Sequence, residues 1–175
     1  MIASIAAFLR YFDAVHRRAV RDIAVLPSEA DGWAPGAGTG ENAWSVNTII
    51  GHIAGSRLYF TSAYVGRGWI SPPPPDVSTR DCWVPAIEDS ALKLHQTLEA
   101  TPDAWLQRKV HMIDTDAALS GWRVLMMMVE HDIHHRSQLD TYAGLNGWDV
   151  PDIYGRSAEQ IGALQDTERA KQAAR

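Results

Sequence analysis

Histidines are the residues best suited to do chemistry in this chain, and three of them lie within five consecutive positions. The stretch from Glu130 to Arg136 reads EHDIHHR, which places His131 four residues before His135, with His134 between them. Residues four apart lie on one face of a helix, about 6 Å apart along its axis. The imidazoles of His131 and His135 can therefore converge on one ion, and spacing alone would also allow His131 with His134.

Helical phase favours His131 and His135 as the inward pair. The inward stripe of this segment consists of Val124, Met128, His131, His135, Leu139 and Tyr142. His134 falls instead on a polar flank with Glu130, Ser137 and Thr141. Two imidazoles in an apolar core are costly unless their polar atoms find partners. A divalent metal is one such partner, because each neutral ring donates a lone pair to it.

A third histidine, His52, is predicted on the inward face of another helix, between Ile49 and Ser56. A single histidine there is more often a core residue that neighbouring groups satisfy. Three inward histidines from two packed helices favour a metal site instead. Three protein ligands with an open position are typical of catalytic zinc, whereas structural zinc sites usually have four ligands. The predicted ligand set is His52, His131 and His135.

Amphipathic helices must position these residues. Apolar periodicity predicts helices over 2–26, from 45 to about 65, over 86–100 and over 120–145, with a short helical candidate around 157–170. The fold class that follows is all-α, a four-helix bundle with long polar and Pro-rich loops. The whole chain, 1–175, is expected to be one domain with a peripheral tail from about 157.

Local signals place several helix ends. Ser45 is predicted to be the N-cap of the second helix, and Asn146-Gly147 to end the fourth. The run Pro72 to Pro75 cannot be helix interior and is expected to be extended. Residues 110–113 are expected to form a short extended piece.

Composition excludes several classes of protein. The 175 residues contain one cysteine, Cys82, which rules out an internal disulfide and a zinc module built on several cysteines. The net charge of −5 argues against broad binding to nucleic acid. The sequence has no apolar run long enough to span a membrane and no signal-peptide pattern. A soluble, cytoplasmic protein is expected, without a nucleic-acid or membrane partner.

Two segments of the sequence resemble the DinB/YfiT-like superfamily. They are NTIIGHIAGSRLYF around His52 and VEHDIHHRSQLDTYAGL around the histidine pair. Trp44-Ser45 and Arg136 also fit the resemblance, whereas Ser137 stands where many relatives have glycine. The resemblance covers most of residues 1–155, although its specific motifs occupy only about 35 residues.

The resemblance implies a four-helix bundle that binds a divalent metal, commonly zinc or nickel, through His52, His131 and His135. It also implies frequent dimers, and branches that are thiol-dependent transferases or hydrolase-like enzymes. Dimerisation is additionally favoured by Met126, Met127 and Met128, which make the fourth helix apolar nearly all round.

Other residues have weaker claims to the site. Asp132 is a weak candidate for the catalytic base, since a carboxylate solvated or paired with arginine is the more common situation. His16 and His95 are each either an additional ligand, a donor to a ligand, or a core histidine. His111 receives no function, and Cys82 is expected to be inert because Arg80 is the only basic residue near it in sequence.

The predicted function is that of a metal-dependent enzyme acting on a small molecule, by hydrolysis or thiol transfer, at a metal with an open coordination position. A low-molecular-weight thiol is a candidate partner, and a homodimer is the expected assembly. The alternatives are a non-catalytic metal- or ligand-binding bundle, and a structural dimeric protein without metal.

Overall fold

The structure, a computed structural model, describes residues 2–173. Its elements are α1 (Ile5–Val25), α2 (Val46–Tyr64), α3 (Arg80–Glu99), β1 (Lys109–His111), β2 (Ala118–Ser120), α4 (Gly121–Asn146) and α5 (Ala158–Ala173). The predicted all-α fold is confirmed, and the two strands form only a small antiparallel hairpin. Helix α2 packs against α3 and α4, and α1 packs against the same two helices. The four helices enclose two apolar clusters, whose polar boundary lies between α2 and α4.

Capping residues set the ends of the helices that carry the histidines. The Ser45 hydroxyl accepts a hydrogen bond from the Thr48 N–H at 3.2 Å, so the predicted N-cap of α2 is confirmed. Gly147 ends α4 in the left-handed conformation, with φ of 69°, as predicted. Helix α1 begins at Ile5 rather than residue 2, because the Ser4 hydroxyl caps it by accepting from the Ala7 N–H.

Helix α3 begins at Arg80, six residues earlier than predicted, so Cys82 lies in the first turn of this helix rather than in the loop before it. Contacts with other parts of the chain hold the first turn of α3 in place. The Arg80 side chain donates to the carbonyls of Leu26 and Ala24 at the end of α1, and Trp83 is 1% exposed. Pro85 lies inside the helix, where it removes one backbone hydrogen bond. Tertiary anchoring of the first turn therefore outweighs the local signal of the proline.

The segment between α3 and α4 contains a short 3₁₀ helix, Asp103–Gln107, and the hairpin. Strand β1 contains Val110, which is buried, whereas the predicted extended piece over 110–113 began one residue later and ran two residues further. Gly121 follows β2 directly and begins α4. A side chain there would collide with the Trp105 carbonyl and the Tyr64 ring, so only glycine permits this close approach.

Helix α5 covers the segment where the sequence suggested a short helix, and it contains no buried residue. The long proline-containing connection between α2 and α3 has no helix or strand from residue 70 to residue 77. Within residues 2–173, no helix is both long enough and apolar enough to cross a membrane.

Candidate metal centre

The structure brings together the three histidines predicted as ligands. His52 lies in α2, and His131 and His135 lie one turn apart in α4. The Nε2 atoms of His52 and His131 are 3.0 Å apart, and one nitrogen from each of the three rings lies within 4.8 Å of the other two. The ring centroids are separated by 4.5 to 4.8 Å. Three imidazoles therefore point their polar edges at one another.

Aromatic rings surround this histidine cluster. Trp44, in the residue before the cap of α2, contacts the edge of His52 at 4.7 Å and stacks on His135 at 5.8 Å between centroids. Phe60 contacts His131 from the other end of the cluster, at 5.7 Å. His135 is 1% exposed, and His52 and His131 are partly buried. The aromatic walls restrict water access, which strengthens electrostatic interactions with the imidazoles.

Burial lowers the pKa of all three imidazoles. For His131 the pKa falls to about 3, first because of desolvation and then because of His135, His52 and His134 nearby. Desolvation also lowers the pKa of His52, with His135 adding to the effect. For His135 the same cause outweighs the hydrogen bond to Gln138, and its pKa is lowered as well. Neutral imidazole is the form that binds metal, so the site favours ligation at neutral pH.

Gln138 fixes the orientation of His135. Its amide nitrogen donates to the Glu41 carbonyl at 2.7 Å, so its amide oxygen must be the atom that faces His135 Nδ1 at 3.1 Å. The Nδ1 atom of His135 therefore carries the proton, which leaves Nε2 free as a ligand. Such outer hydrogen bonds to ligand histidines set the tautomer and the ring orientation. The sequence places Gln138 three residues after His135, but its role depends on Glu41, 97 residues away.

A cavity of about 600 Å³ opens beside the cluster. Its lining residues are Trp44, Thr48, Gly51, His52, Gly55, Ser56, Tyr59, Phe60, Ser71, Pro72, Pro74, Pro75, Val77 and His131. Two of the three clustered histidines, His52 and His131, face this space, and His135 lies behind them. A small molecule in the cavity would therefore contact the exposed side of the cluster.

The proline run forms one wall of the cavity, and Asn47 holds the end of that wall. The Asn47 amide nitrogen donates to the Val77 carbonyl at 2.8 Å and to Asp31 Oδ1 at 2.9 Å. Its amide oxygen accepts from the Gly32 N–H at 2.7 Å. One side chain in the first turn of α2 thus ties both flanking loops to the helix that carries His52.

Asp132, the weak candidate for a base, lies outside the cavity lining. It is 1% exposed and accepts from Arg57 Nε at 2.8 Å, in an ion pair with another buried residue. Arg57 also donates to the Ile87 carbonyl and the Ser90 hydroxyl. This Arg57–Asp132 pair connects α2 to α4 and leaves the carboxylate facing an arginine rather than the histidines.

His16 and His95, for which the sequence left several roles open, lie outside the cluster. His16 Nδ1 is 3.3 Å from Arg57, and its Nε2 is 3.1 Å from Glu88. His95 pairs with Asp13 at 2.6 Å and Glu99 at 3.4 Å on the other side of the bundle. Both imidazoles therefore already have polar partners outside the histidine cluster.

Glu41, His134 and His135 form a second group whose ligand atoms lie within 4.8 Å of one another. Glu41 and His134 are exposed, so water already solvates them. The cluster of His52, His131 and His135 is the more enclosed group, and it alone faces the cavity.

The donor set fits a divalent cation. Nitrogen ligands about 2.0–2.1 Å from a tetrahedral zinc lie about 3.3 Å from one another. His52 and His131 already place their Nε2 atoms 3.0 Å apart, and one nitrogen from each of the three rings lies within 4.8 Å of the other two. All three donors are imidazoles, which suit zinc and nickel among the divalent metals. No carboxylate among the described residues lies close enough to complete the same group.

Comparisons with known proteins agree on one family. The family model described as DinB family matches residues 1–169. A DinB-like protein from Bacillus cereus ATCC 10987 superposes with a TM-score of 0.69 at 16% identity, over 87% of this chain and 99% of that one. A DinB-like protein from Bacillus subtilis gives a TM-score of 0.63 at 17% identity, over 83% and 96% of the two chains. These two structures are similar in fold. None of the curated protein sequences matches the chain.

Proposed function

The chain belongs to the DinB family, and we propose that it is a metal-dependent enzyme whose divalent ion is held by His52, His131 and His135. The observation that carries the proposal is the convergence of three neutral imidazoles at the edge of a cavity. Imidazoles paired only with one another would leave acceptor lone pairs without a donor in a partly buried cluster, which is costly. A cation resolves this cost for all three rings together.

The chain's own residues would hold and orient the three ligand imidazoles. His135 is locked by Gln138, His52 is packed by Trp44, and His131 is packed by Phe60. When bound, the metal would act as a Lewis acid and lower the pKa of a water or thiol at its open position. Hydrolysis, or transfer involving a low-molecular-weight thiol, is the reaction class that this site suits. We do not assign the base to Asp132, because its Oδ2 pairs with Arg57 and it lies outside the cavity lining.

Metal analysis of protein purified without added metal tests the site. We expect about one equivalent of zinc or nickel per chain, as one three-histidine centre would bind. His52→Ala and His131→Ala should lose the metal, whereas His95→Ala, remote from the cluster, should retain it. A wild-type protein that takes up no metal on dialysis against zinc or nickel, with unchanged stability in the alanine variants, would refute the proposal.

Activity is then tested on the metal-loaded protein with a panel of thiols and esters. Turnover lost in His131→Ala supports an enzyme. Bound metal without turnover or affinity for any member of the panel would instead identify a metal-binding bundle without catalysis.

A further inference from the structure

The cavity beside the histidine cluster has no wall of acidic or basic side chains. Among the described residues, no aspartate, glutamate, lysine or arginine lines it. Two of its polar groups are the imidazoles of His52 and His131. The remaining polar groups are hydroxyls, such as those of Ser56 and Thr48.

Three aromatic and three proline residues are among the fourteen that line the cavity. Tyr59 and Phe60 extend from α2, and Trp69 packs against both rings at 5.3 and 5.8 Å, which holds them in place. Pro72, Pro74 and Pro75 form the facing wall. Proline and aromatic side chains recognise apolar or aromatic groups, and they offer no counter-charge to an ionic one.

Two glycines on α2 create the space. Gly51 and Gly55 are one turn apart and both line the cavity. A Cβ atom at Gly51 would lie 3.1 Å from Val77 Cγ2, so the proline segment approaches the helix closely there. A Cβ atom at Gly55 would meet no atom within 4 Å. Any side chain at residue 55 would therefore project into open cavity beside His52.

We propose that the cavity selects a small, neutral and largely apolar molecule, and that Gly55 determines which sizes it accepts. This inference rests on the proposed function in one respect, namely that one end of the molecule binds the metal. The selection itself follows from the uncharged wall and from the space at Gly55. A substrate carrying a carboxylate away from its reacting group would lose hydration of that charge without gaining a partner.

A matched pair of ligands tests the charge preference. The probes are 4-(mercaptomethyl)benzoate and its primary amide, which have nearly the same size and differ in charge. Calorimetric titration of the zinc-loaded protein should show the amide binding at least about tenfold more tightly, a difference of ~1.4 kcal/mol. Equal affinities, tighter binding of the carboxylate, or no binding of either probe would overturn the proposal.

Size selection is tested with Gly55→Leu. The leucine side chain should weaken binding of the amide by about tenfold or more while zinc stoichiometry stays unchanged, because the ligand nitrogens are untouched. Gly144→Leu is the matched control, since Gly144 is an exposed helix glycine that also has no atom within 4 Å of an added Cβ. Unchanged affinity in Gly55→Leu would refute the role of Gly55.

The same titrations on metal-free protein separate this inference from the proposed function. If the wild type binds no zinc but still prefers the amide, the metal proposal fails and the cavity proposal stands. If zinc binds with the expected stoichiometry and the preference is absent, only the cavity proposal fails.

Discussion

Helices α2 and α4 bury two polar layers between them, and the buried polar groups of the two layers find partners in different ways. In one layer, Arg57 and Asp132 form an ion pair, and the arginine has additional acceptors on α3. In the other layer, His52, His131 and His135 face one another with nitrogen atoms that can all act as acceptors. We call the first layer complete because its two charges are paired within the protein, although Asp132 Oδ1 has no hydrogen-bond partner among the described residues. The second layer calls for a cation.

The layers are close neighbours in sequence. His52 precedes Arg57 by five residues on α2, and His131 directly precedes Asp132 on α4. A shift of one helix along the other would therefore disturb the ion pair and the histidine cluster together. We infer that the Arg57–Asp132 pair sets the register that brings His52 opposite His131, a role for which buried ion pairs have precedent.

The largest expected effect is from breaking the complete layer. Asp132→Ala leaves the Arg57 guanidinium buried without its counter-charge, and we expect a loss of about 3–5 kcal/mol in the free energy of unfolding. His131→Ala in metal-free protein should cost less, because no buried charge is left. Urea denaturation of both variants measures the difference.

Two controls sharpen this result. The double variant Arg57→Met with Asp132→Leu should recover most of the lost stability, because an apolar pair replaces an ion pair. Asp89→Ala removes an exposed carboxylate that pairs with Lys93 and should cost under about 1 kcal/mol. If Asp132→Ala were as mild as Asp89→Ala, the distinction between the layers would be lost.

The next prediction concerns pH and the incomplete layer. The pKa of His131 is about 3 in the folded protein, against an ordinary value of 6.5, and the pKa values of His52 and His135 are lowered too. Below pH 6.5 the unfolded chain therefore binds more protons than the folded one, so acid favours unfolding. The stability of metal-free protein should be full above pH 6.5 and should fall progressively toward pH 3.

His131→Gln is the variant that checks this dependence. It removes the histidine with the lowest pKa, so the decline of unfolding free energy between pH 7 and pH 4.5 should be shallower than in wild type. Denaturation curves at several pH values, in the presence of a chelator, give the two slopes. Identical slopes would show that His131 is readily protonated in the folded state.

A smaller effect is expected from Gln138→Met, which keeps the side-chain size and removes the acceptor for His135 Nδ1. Loss of such an outer hydrogen bond typically weakens metal binding by about 10–100-fold. Competition with a chromophoric chelator measures the zinc affinity. Gln96→Met, at an exposed position of α3, is the matched control and should leave that affinity unchanged.

His134→Ala tests which group of residues binds the metal. It removes a member of the group with Glu41 and leaves the three-histidine cluster intact. Unchanged zinc affinity is expected. A loss as large as that in His131→Ala would place the ion in the more exposed group.

The sequence predicted the parts of this arrangement that depend on helical periodicity. The phase of α4 separates His131 and His135 from the exposed His134, and Ser45 and Gly147 mark helix ends through local chemistry. These signals lie within a few residues, so they can be read without knowing the packing. The fold class follows from them, whereas the family is indicated by the resemblance of the two segments that contain the histidines.

The parts that the sequence did not predict depend on contacts between distant residues. Arg57 finds Asp132 75 residues later, and Gln138 is oriented by a carbonyl 97 residues earlier. Helix α3 starts at Arg80 because the end of α1 accepts its side chain. The proline wall of the cavity depends likewise on Asn47, which binds the carbonyl of Val77.

The smallest expected effect concerns Gly55, which lies between the two layers on α2. Glycine inside a helix costs about 0.5–1 kcal/mol relative to alanine, and the added methyl group would meet no atom here. Gly55→Ala should therefore raise the free energy of unfolding by about that amount. Gly51→Ala is the contrasting variant, because its methyl group would press on Val77 and offset the gain. If Gly55→Ala destabilised the protein, the space beside the histidines would not be open. The contrast drawn between the ion-pair layer and the histidine layer would then be contradicted.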